Sequence, residues 1–184
     1  SAASDVYKRQ AEDYAIIAKS NASDYDHLAD KVLSHLKMLE DDYGGFIVDR
    51  LTHSLQCATR AYRDGKNDEY VVCALIHDIG DNLAPANHAE LAATILEPFV
   101  SEENHWIVKH HGIFQGYYFF EFLGLDKNMR DKYSDNPFFE SCKEFCEKYD
   151  QNGFDPDYDT LDLEFFTPMV KKLFQKPKKS IYID

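Results

Sequence analysis

Histidine and aspartate side chains recur along this chain in an order that suits metal binding. The His77-Asp78 pair ends an apolar run from Val71 to Ile76, where a free ionised carboxylate would be costly to bury. An imidazole nitrogen and a carboxylate oxygen side by side suit a hard or borderline divalent cation. Similar side chains stand before and after this pair: His53, His88, His110, His111 and Asp150.

These groups are too many for one tetrahedral ion, so we expect two metal ions bridged by the Asp78 carboxylate. The first metal would take three further ligands: His53, His77 and Asp150. The second would take His88 and one residue of an adjacent pair: His110 or His111. This grouping leaves open coordination positions on both metals for a substrate or for oxygen.

The spacing of apolar residues predicts an all-α fold, a helical bundle with the metal site in its core. The segment 68–77 is apolar nearly all round and is therefore expected to be central. Ser101 is expected to cap a helix, and the glycine-punctuated aromatic stretch 112–120 to be a turn into a helix that covers the site. The other predicted helices span 24–40, 47–63, 88–96, 137–148 and 163–174.

The chain of 184 residues fits one domain. Residues 24–175 are expected to form it. Residues 1–23 are expected to be a lead-in that is helical or disordered, and residues 176–184 an extended or frayed tail. The sequence does not indicate an oligomeric state.

The composition argues against several classes of partner. A formal net charge of -13 disfavours nucleic acid and anionic membrane surfaces. The absence of a long apolar run or a signal-peptide pattern predicts a cytoplasmic protein. Four cysteines are expected to be reduced and buried: Cys57, Cys73, Cys142 and Cys146.

The order of the metal-binding residues resembles that of the HD-domain superfamily. The resemblance rests on His53, on the segment from Leu75 to Gly80 that contains the His77-Asp78 pair, and on the later histidines and Asp150. It covers about residues 24–175 and implies an HD-domain bundle with a metal-dependent enzyme activity. The middle histidines imply a dinuclear branch of the superfamily.

Two dinuclear branches are relevant. Cyclic-dinucleotide phosphodiesterases carry a Gly-Tyr-Pro signature after a His-His pair, but Gly116-Tyr117-Tyr118 lacks the proline. In size and layout the chain is more similar to mixed-valent di-iron oxygenases of the phosphonate-cleaving (PhnZ) type. That resemblance implies two irons, Fe2+ and Fe3+, and O2-dependent cleavage of a small hydroxylated substrate, such as a hydroxy-aminoalkylphosphonate.

The resemblance also implies roles for residues around the metals. Tyr43 would ligate one iron from a gating loop before substrate arrives, and Asp78 would be the catalytic bridge. Phe46 stands where those enzymes have a substrate-binding glutamate, while Asp81 and Gln115 stand where basic or imidazole groups would bind phosphonate. We therefore expect substrate contacts from Asp81 and Gln115, with Lys109 as an anion contact, and a neutral or cationic substrate becomes an alternative. Three aromatic residues are expected to exclude water: Phe114, Tyr117 and Phe120.

Two other functions are compatible with the sequence. A metal-dependent phosphohydrolase would use Mn, Zn or Mg to attack a phosphomonoester or a nucleotide. A degenerate HD domain would act as a binding module, although the intact set of metal-binding residues argues against it.

Overall fold

A computed structural model of the chain describes residues 2–181, and within that range the side chains of residues 4–20 and 25–181. This part of the chain contains no strand, which confirms the all-α prediction. Its α helices are α1 (Ala2–Asp24), α2 (Leu28–Lys37), α3 (Arg50–Arg63), α4 (Asp68–Ile76), α5 (His88–Leu96), α6 (Glu102–Gln115), α7 (Phe139–Phe145) and α8 (Leu163–Leu173).

Helix α4 lies at the centre of the bundle, as its composition predicted. All residues from Val71 to Ile76 are buried, and the helix contacts α3, α6 and α8. Asn67 starts it by accepting a hydrogen bond from the Tyr70 backbone N–H at 2.9 Å. Since α4 ends directly before His77, the central helix delivers the His-Asp pair into the interior.

Helix α3 begins later than the apolar spacing predicted. Asp49 Oδ1 accepts a hydrogen bond from the Thr52 backbone N–H at 2.7 Å, so this cap sets the helix start at Arg50 rather than at Ile47. Ile47, the first residue of the predicted helix 47–63, is 67 % exposed and lies outside α3. Residues 41–49 instead form a loop, called here the 41–49 loop.

Helix α6 continues through the position where a turn was predicted. Gly112 lies inside the helix, and its carbonyl accepts a hydrogen bond from the Gly116 N–H. Two 3-10 turns follow, Gly116–Tyr118 and Phe120–Leu123, instead of a further α helix. The prediction failed because a single glycine weakens a helix without ending it. Ser101, by contrast, caps α6 as predicted.

Helix α7 is followed by a π-helical turn, Cys146–Asp150, that carries Asp150 into the core. Such wide turns are frequent at functional sites. The thiols of Cys142 and Cys146 donate to the α6 carbonyls of Ile107 and His111, at 3.6 and 3.5 Å, and pack α7 against α6. All four cysteines are free and buried, as predicted.

The two termini differ from each other. The predicted lead-in is helical as α1, and the side chains of residues 4–20 are exposed. The next helix, α2, is shorter than the predicted helix 24–40. The tail predicted to be extended or frayed is held at Lys178, whose backbone N–H donates to Pro98 O at 2.7 Å. Residues 182–184 of that tail lie outside the described residues. Within 2–181, no helix combines the length and the apolar character needed to cross a membrane.

Candidate metal centre

All six predicted metal ligands converge in one place within the bundle. Different elements supply them: α3, the end of α4 and the turn that follows it, the first residue of α5, the inner face of α6, and the π-helical turn. In chain order they are His53, His77, Asp78, His88, His111 and Asp150.

Four of these residues form a first group of ligand atoms. His53 Nε2 lies 3.3 Å from His77 Nε2 and 3.3 Å from Asp150 Oδ1, and His77 Nε2 lies 3.8 Å from the same oxygen. Asp78 Oδ2 lies 3.3 Å from both imidazole nitrogens. Two imidazoles and two carboxylates therefore face a common point.

A second group shares the Asp78 carboxylate. His88 Nε2 lies 3.3 Å from His111 Nε2. Asp78 Oδ1 lies 3.0 Å from His111 Nε2 and 3.4 Å from His88 Nε2. Asp78 thus offers one oxygen to each group, which is the geometry of a bridging ligand.

In all four imidazole rings Nδ1 lies near an oxygen that can only accept, while Nε2 faces the other ligand atoms. Nδ1 therefore carries a proton, and Nε2 is the nitrogen that can bind a metal ion. The pairs are His53 with Gly153 O (3.1 Å), His77 with Ala74 O (2.7 Å), His88 with Asp81 Oδ1 (3.2 Å) and His111 with Val108 O (2.7 Å). Metal-binding histidines show this arrangement, because the outer hydrogen bond orients the ring.

The converging lone pairs and carboxylate oxygens repel one another unless protons or cations lie between them. Metal–nitrogen and metal–oxygen bonds of about 2.0–2.2 Å place neighbouring ligand atoms about 3.0–3.5 Å apart. Most of the observed separations, 3.0–3.4 Å, fall in that range. The residues present therefore fit two metal ions.

Burial and charge together perturb the pKa values of the first group. Burial alone would lower the pKa of His53, but Cys57, Asp150 and Asp78 raise it well above its ordinary value. Burial alone would raise the pKa of Asp150, but His53 and His77 hold it well below its ordinary value. A metal ion in the first group would compete with protons for the imidazole nitrogens of His53 and His77, so its affinity would rise with pH.

A cavity of about 430 Å³ opens onto both groups of ligand atoms. Its wall includes ligands of both groups, but the fully buried His77 is not among them. Phe46 stacks on Phe154 with ring centroids 4.6 Å apart, and Phe154 stacks on His53 at 4.1 Å. The remaining apolar wall comes from Val48, Tyr118 and Phe119.

The predicted substrate contacts Asp81 and Gln115 both line this cavity. Asp81 already uses both oxygens, because Oδ2 accepts from Arg50 Nη1 and Oδ1 faces His88 Nδ1. Gln115 donates from Nε2 to Gln151 Oε1 at 2.7 Å. Among the described residues that line the cavity, Arg50 is the one arginine or lysine, and it is paired with two carboxylates.

Three other predicted site residues are not brought to the cavity. Tyr43 is 49 % exposed and does not line it. Lys109 is exposed. His110 turns away from the metal centre and stacks on Trp106 with ring centroids 4.1 Å apart. His111 is therefore the member of the His-His pair that faces Asp78.

The predicted aromatic cover was assigned to the wrong residues. Phe114 is buried in the core against Trp106 and Phe139, and neither Tyr117 nor Phe120 lines the cavity. The cavity's aromatic wall comes from other elements: Phe46, Tyr118, Phe119 and Phe154.

Several residues of the site were not identified from the sequence. Cys57 Sγ lies 3.7 Å from His53 Nε2, and Gly153 packs against the same ring. Arg50 and Cys57 stand three residues before and four residues after His53, so helical periodicity places all three on one face of α3. That spacing was a usable signal for both residues. No comparable local signal marks Gly153 or Phe154.

No family model matches this chain, and no curated protein matches it significantly.

Proposed function

We propose that this chain is a non-heme di-iron oxygenase of the HD-domain type that oxidatively cleaves a small hydroxylated substrate with O2. The observation that carries the proposal is the pair of ligand groups joined by Asp78. His88, His111 and Asp78 make a two-histidine, one-carboxylate set, the ligand set typical of non-heme iron oxygenases. The first group, with two imidazoles and two carboxylates, would hold the partner iron.

The position of the cavity supports chemistry at both metals. Ligands of each group line it, so one substrate can approach the two ions together. Bound irons would supply Lewis acidity toward a substrate hydroxyl and electrons for O2. The protein would supply the bridge through Asp78 and an aromatic wall that excludes water.

The charges of the cavity bear on the class of substrate. Its cation, Arg50, is neutralised by Asp42 and Asp81, so the protein wall offers no unpaired positive group to a dianionic headgroup. Gln115 and Gln151 add neutral polar groups. We propose a hydroxylated substrate whose far end is neutral or cationic, in preference to a phosphonate recognised by lysine or arginine.

Iron analysis of anaerobically purified protein tests this proposal. We expect two irons per chain and the EPR or Mössbauer signature of a mixed-valent pair, with substrate-dependent O2 consumption. A panel of small polyols, hydroxy-amines and hydroxyphosphonates would then rank the substrate classes. Binding of zinc, manganese or magnesium alone, with hydrolysis of simple phosphoesters and no O2 consumption, would replace the proposal with the phosphohydrolase alternative.

A matched pair of variants connects the activity to the centre. His77→Ala removes a buried ligand, and we expect loss of iron and of O2 consumption. His110→Ala removes a neighbouring imidazole that faces Trp106, and we expect it to retain both. Full iron content in the His77→Ala variant would contradict the site.

A further inference from the structure

One metal-binding histidine is oriented differently from the other three. His53, His77 and His111 donate to backbone carbonyls, which the fold holds in place. His88 instead faces a side chain, Asp81 Oδ1, at 3.2 Å, and its own side chain is 26 % exposed. The orientation of His88 therefore depends on where the Asp81 carboxylate is held.

Arg50 holds that carboxylate. Its Nη1 donates to Asp81 Oδ2, while its Nε lies 3.3 Å from Asp42 Oδ2. The Arg50 backbone N–H also donates to Asp42 O at 2.8 Å. The chain of contacts Asp42–Arg50–Asp81–His88 thus connects the start of the 41–49 loop to a ligand of the second group.

The 41–49 loop is built tightly against the same guanidinium. Asp41, Gly44 and Gly45 have φ angles of +62°, +52° and +91°. A methyl group at Gly44 would lie 2.5 Å from Arg50 Nη2, so the loop backbone passes directly over this side chain. Phe46 of the same loop lines the cavity.

We infer that Arg50 and Asp81 are positioning residues that hold His88 in its metal-binding orientation and couple the 41–49 loop to the second metal. This inference rests on the proposed function and deepens it. A displaced loop moves Arg50, releases Asp81 and frees the His88 ring to rotate. The second metal therefore depends on the packing of the loop more strongly than the first metal, because the first-group rings of His53 and His77 donate to backbone carbonyls.

Metal titration of single variants tests the positioning role. Fe2+ alone is titrated anaerobically against a chromophoric chelator, which gives separate constants for the two sites. In Arg50→Gln and Asp81→Ala we expect the affinity of the second site for Fe2+ to fall about 10–100-fold, the typical cost of losing an outer hydrogen bond to a ligand. The affinity of the first site for Fe2+ should change by less than about 2-fold, well below the loss expected at the second site. Arg50→Lys should restore part of the loss.

Control variants separate this effect from general damage. Arg63→Gln removes another α3 arginine, whose partner is the exposed Asp159 at 2.8 Å, and should leave both constants unchanged. Circular dichroism of the metal-free variants checks folding. If Asp81→Ala does not fold, the two Arg50 variants and the glycine pair described next decide the question.

Two adjacent glycines provide a sharper comparison. Gly44→Ala and Gly45→Ala both place a side chain at a positive φ, but only the first meets Arg50, since nothing lies within 4 Å of a methyl group at Gly45. We expect Gly44→Ala to weaken the second iron and Gly45→Ala to leave it unchanged. Equal losses would show that loop strain acts without the Arg50 contact, and would overturn the role of Arg50 as the link between the loop and His88.

The wild-type result distinguishes the two proposals. A wild-type chain that binds no Fe2+ overturns the proposed function together with this inference. A wild type that binds two Fe2+, with unchanged second constants in Arg50→Gln and Asp81→Ala, overturns the positioning role alone.

Discussion

Replacement of Gly153 by alanine tests how tightly the fold holds His53, a candidate ligand of the first metal. A methyl group at this position would lie 2.6 Å from His53 Nδ1, 2.9 Å from His53 Cε1 and 2.8 Å from Cys57 Sγ. The Gly153 carbonyl also accepts the hydrogen bond that orients the His53 ring. The substitution therefore acts on His53, a candidate metal ligand one hundred residues away in sequence.

The size of the effect follows from these distances. Relaxed contacts between heavy atoms need about 3.5 Å, so the His53 ring or the backbone at residue 153 must retreat by about 1 Å. Metal–ligand distances tolerate only about 0.2 Å. We expect the first metal to bind about 100-fold more weakly in Gly153→Ala, a loss of about 2.7 kcal/mol.

Anaerobic Fe2+ titration with a competing chelator measures this loss, and a thermal melt of the metal-free variant verifies folding. Gly112→Ala is the matched control. A methyl group there would lie 3.9 Å from His88 Nε2, an ordinary contact beside the second site. The Fe2+ affinities of both sites should therefore stay unchanged. A folded Gly153→Ala variant with wild-type affinity for the first metal would refute the geometry derived for His53.

Three further outcomes are expected. His111→Ala should release the second metal while His110→Ala retains both, as metal content per chain will show; equal losses would contradict the assignment of His111. Burial alone would raise the pKa of Glu69, but hydrogen bonds led by that from Lys178 lower it to about 2. Its stabilisation is therefore present above about pH 4.5 and lost as the pH falls toward 2, so Glu69→Gln should lower the free energy of unfolding by about 1 kcal/mol at pH 7 in urea titrations, after allowance for solvent screening. The difference should shrink in acid, and a constant difference would contradict the linkage. Phe114→Ala should cost about 3–5 kcal/mol of stability, because that ring is buried in the core, yet leave iron binding per folded chain unchanged; loss of iron with little change in stability would return Phe114 to the site.

The helices were largely predictable because apolar periodicity reports which side chains must leave water. The uniformly apolar segment 71–76 could only be central, and the short polar residue Ser101 marked a helix start. Boundaries failed where a local hydrogen bond competed with periodicity. Asp49 caps α3, so that the helix begins at Arg50, three residues after the predicted start at Ile47. A lone glycine, Gly112, does not interrupt α6.

The ligand set was predictable for a different reason. Imidazole and carboxylate groups are rare in apolar surroundings unless something compensates them, so the His77-Asp78 pair at the end of a buried helix already predicted a shared site. The choice between His110 and His111 was also within reach of the sequence. His111 stands four residues after Ile107 and three after Val108, on the buried stripe of α6.

The amino-acid pattern was sufficient to predict the helical class of the fold, the group of candidate metal ligands and the position of Asp78 between the two groups. The support and the enclosure of these candidate ligands come from the packing of separate elements in three dimensions. That packing placed Tyr43 outside the cavity, joined Arg50 to Asp81 across 31 residues, and set Gly153 against His53 across 100 residues. Periodicity describes one element at a time, whereas these contacts depend on how separate elements pack against one another, which no local pattern contains.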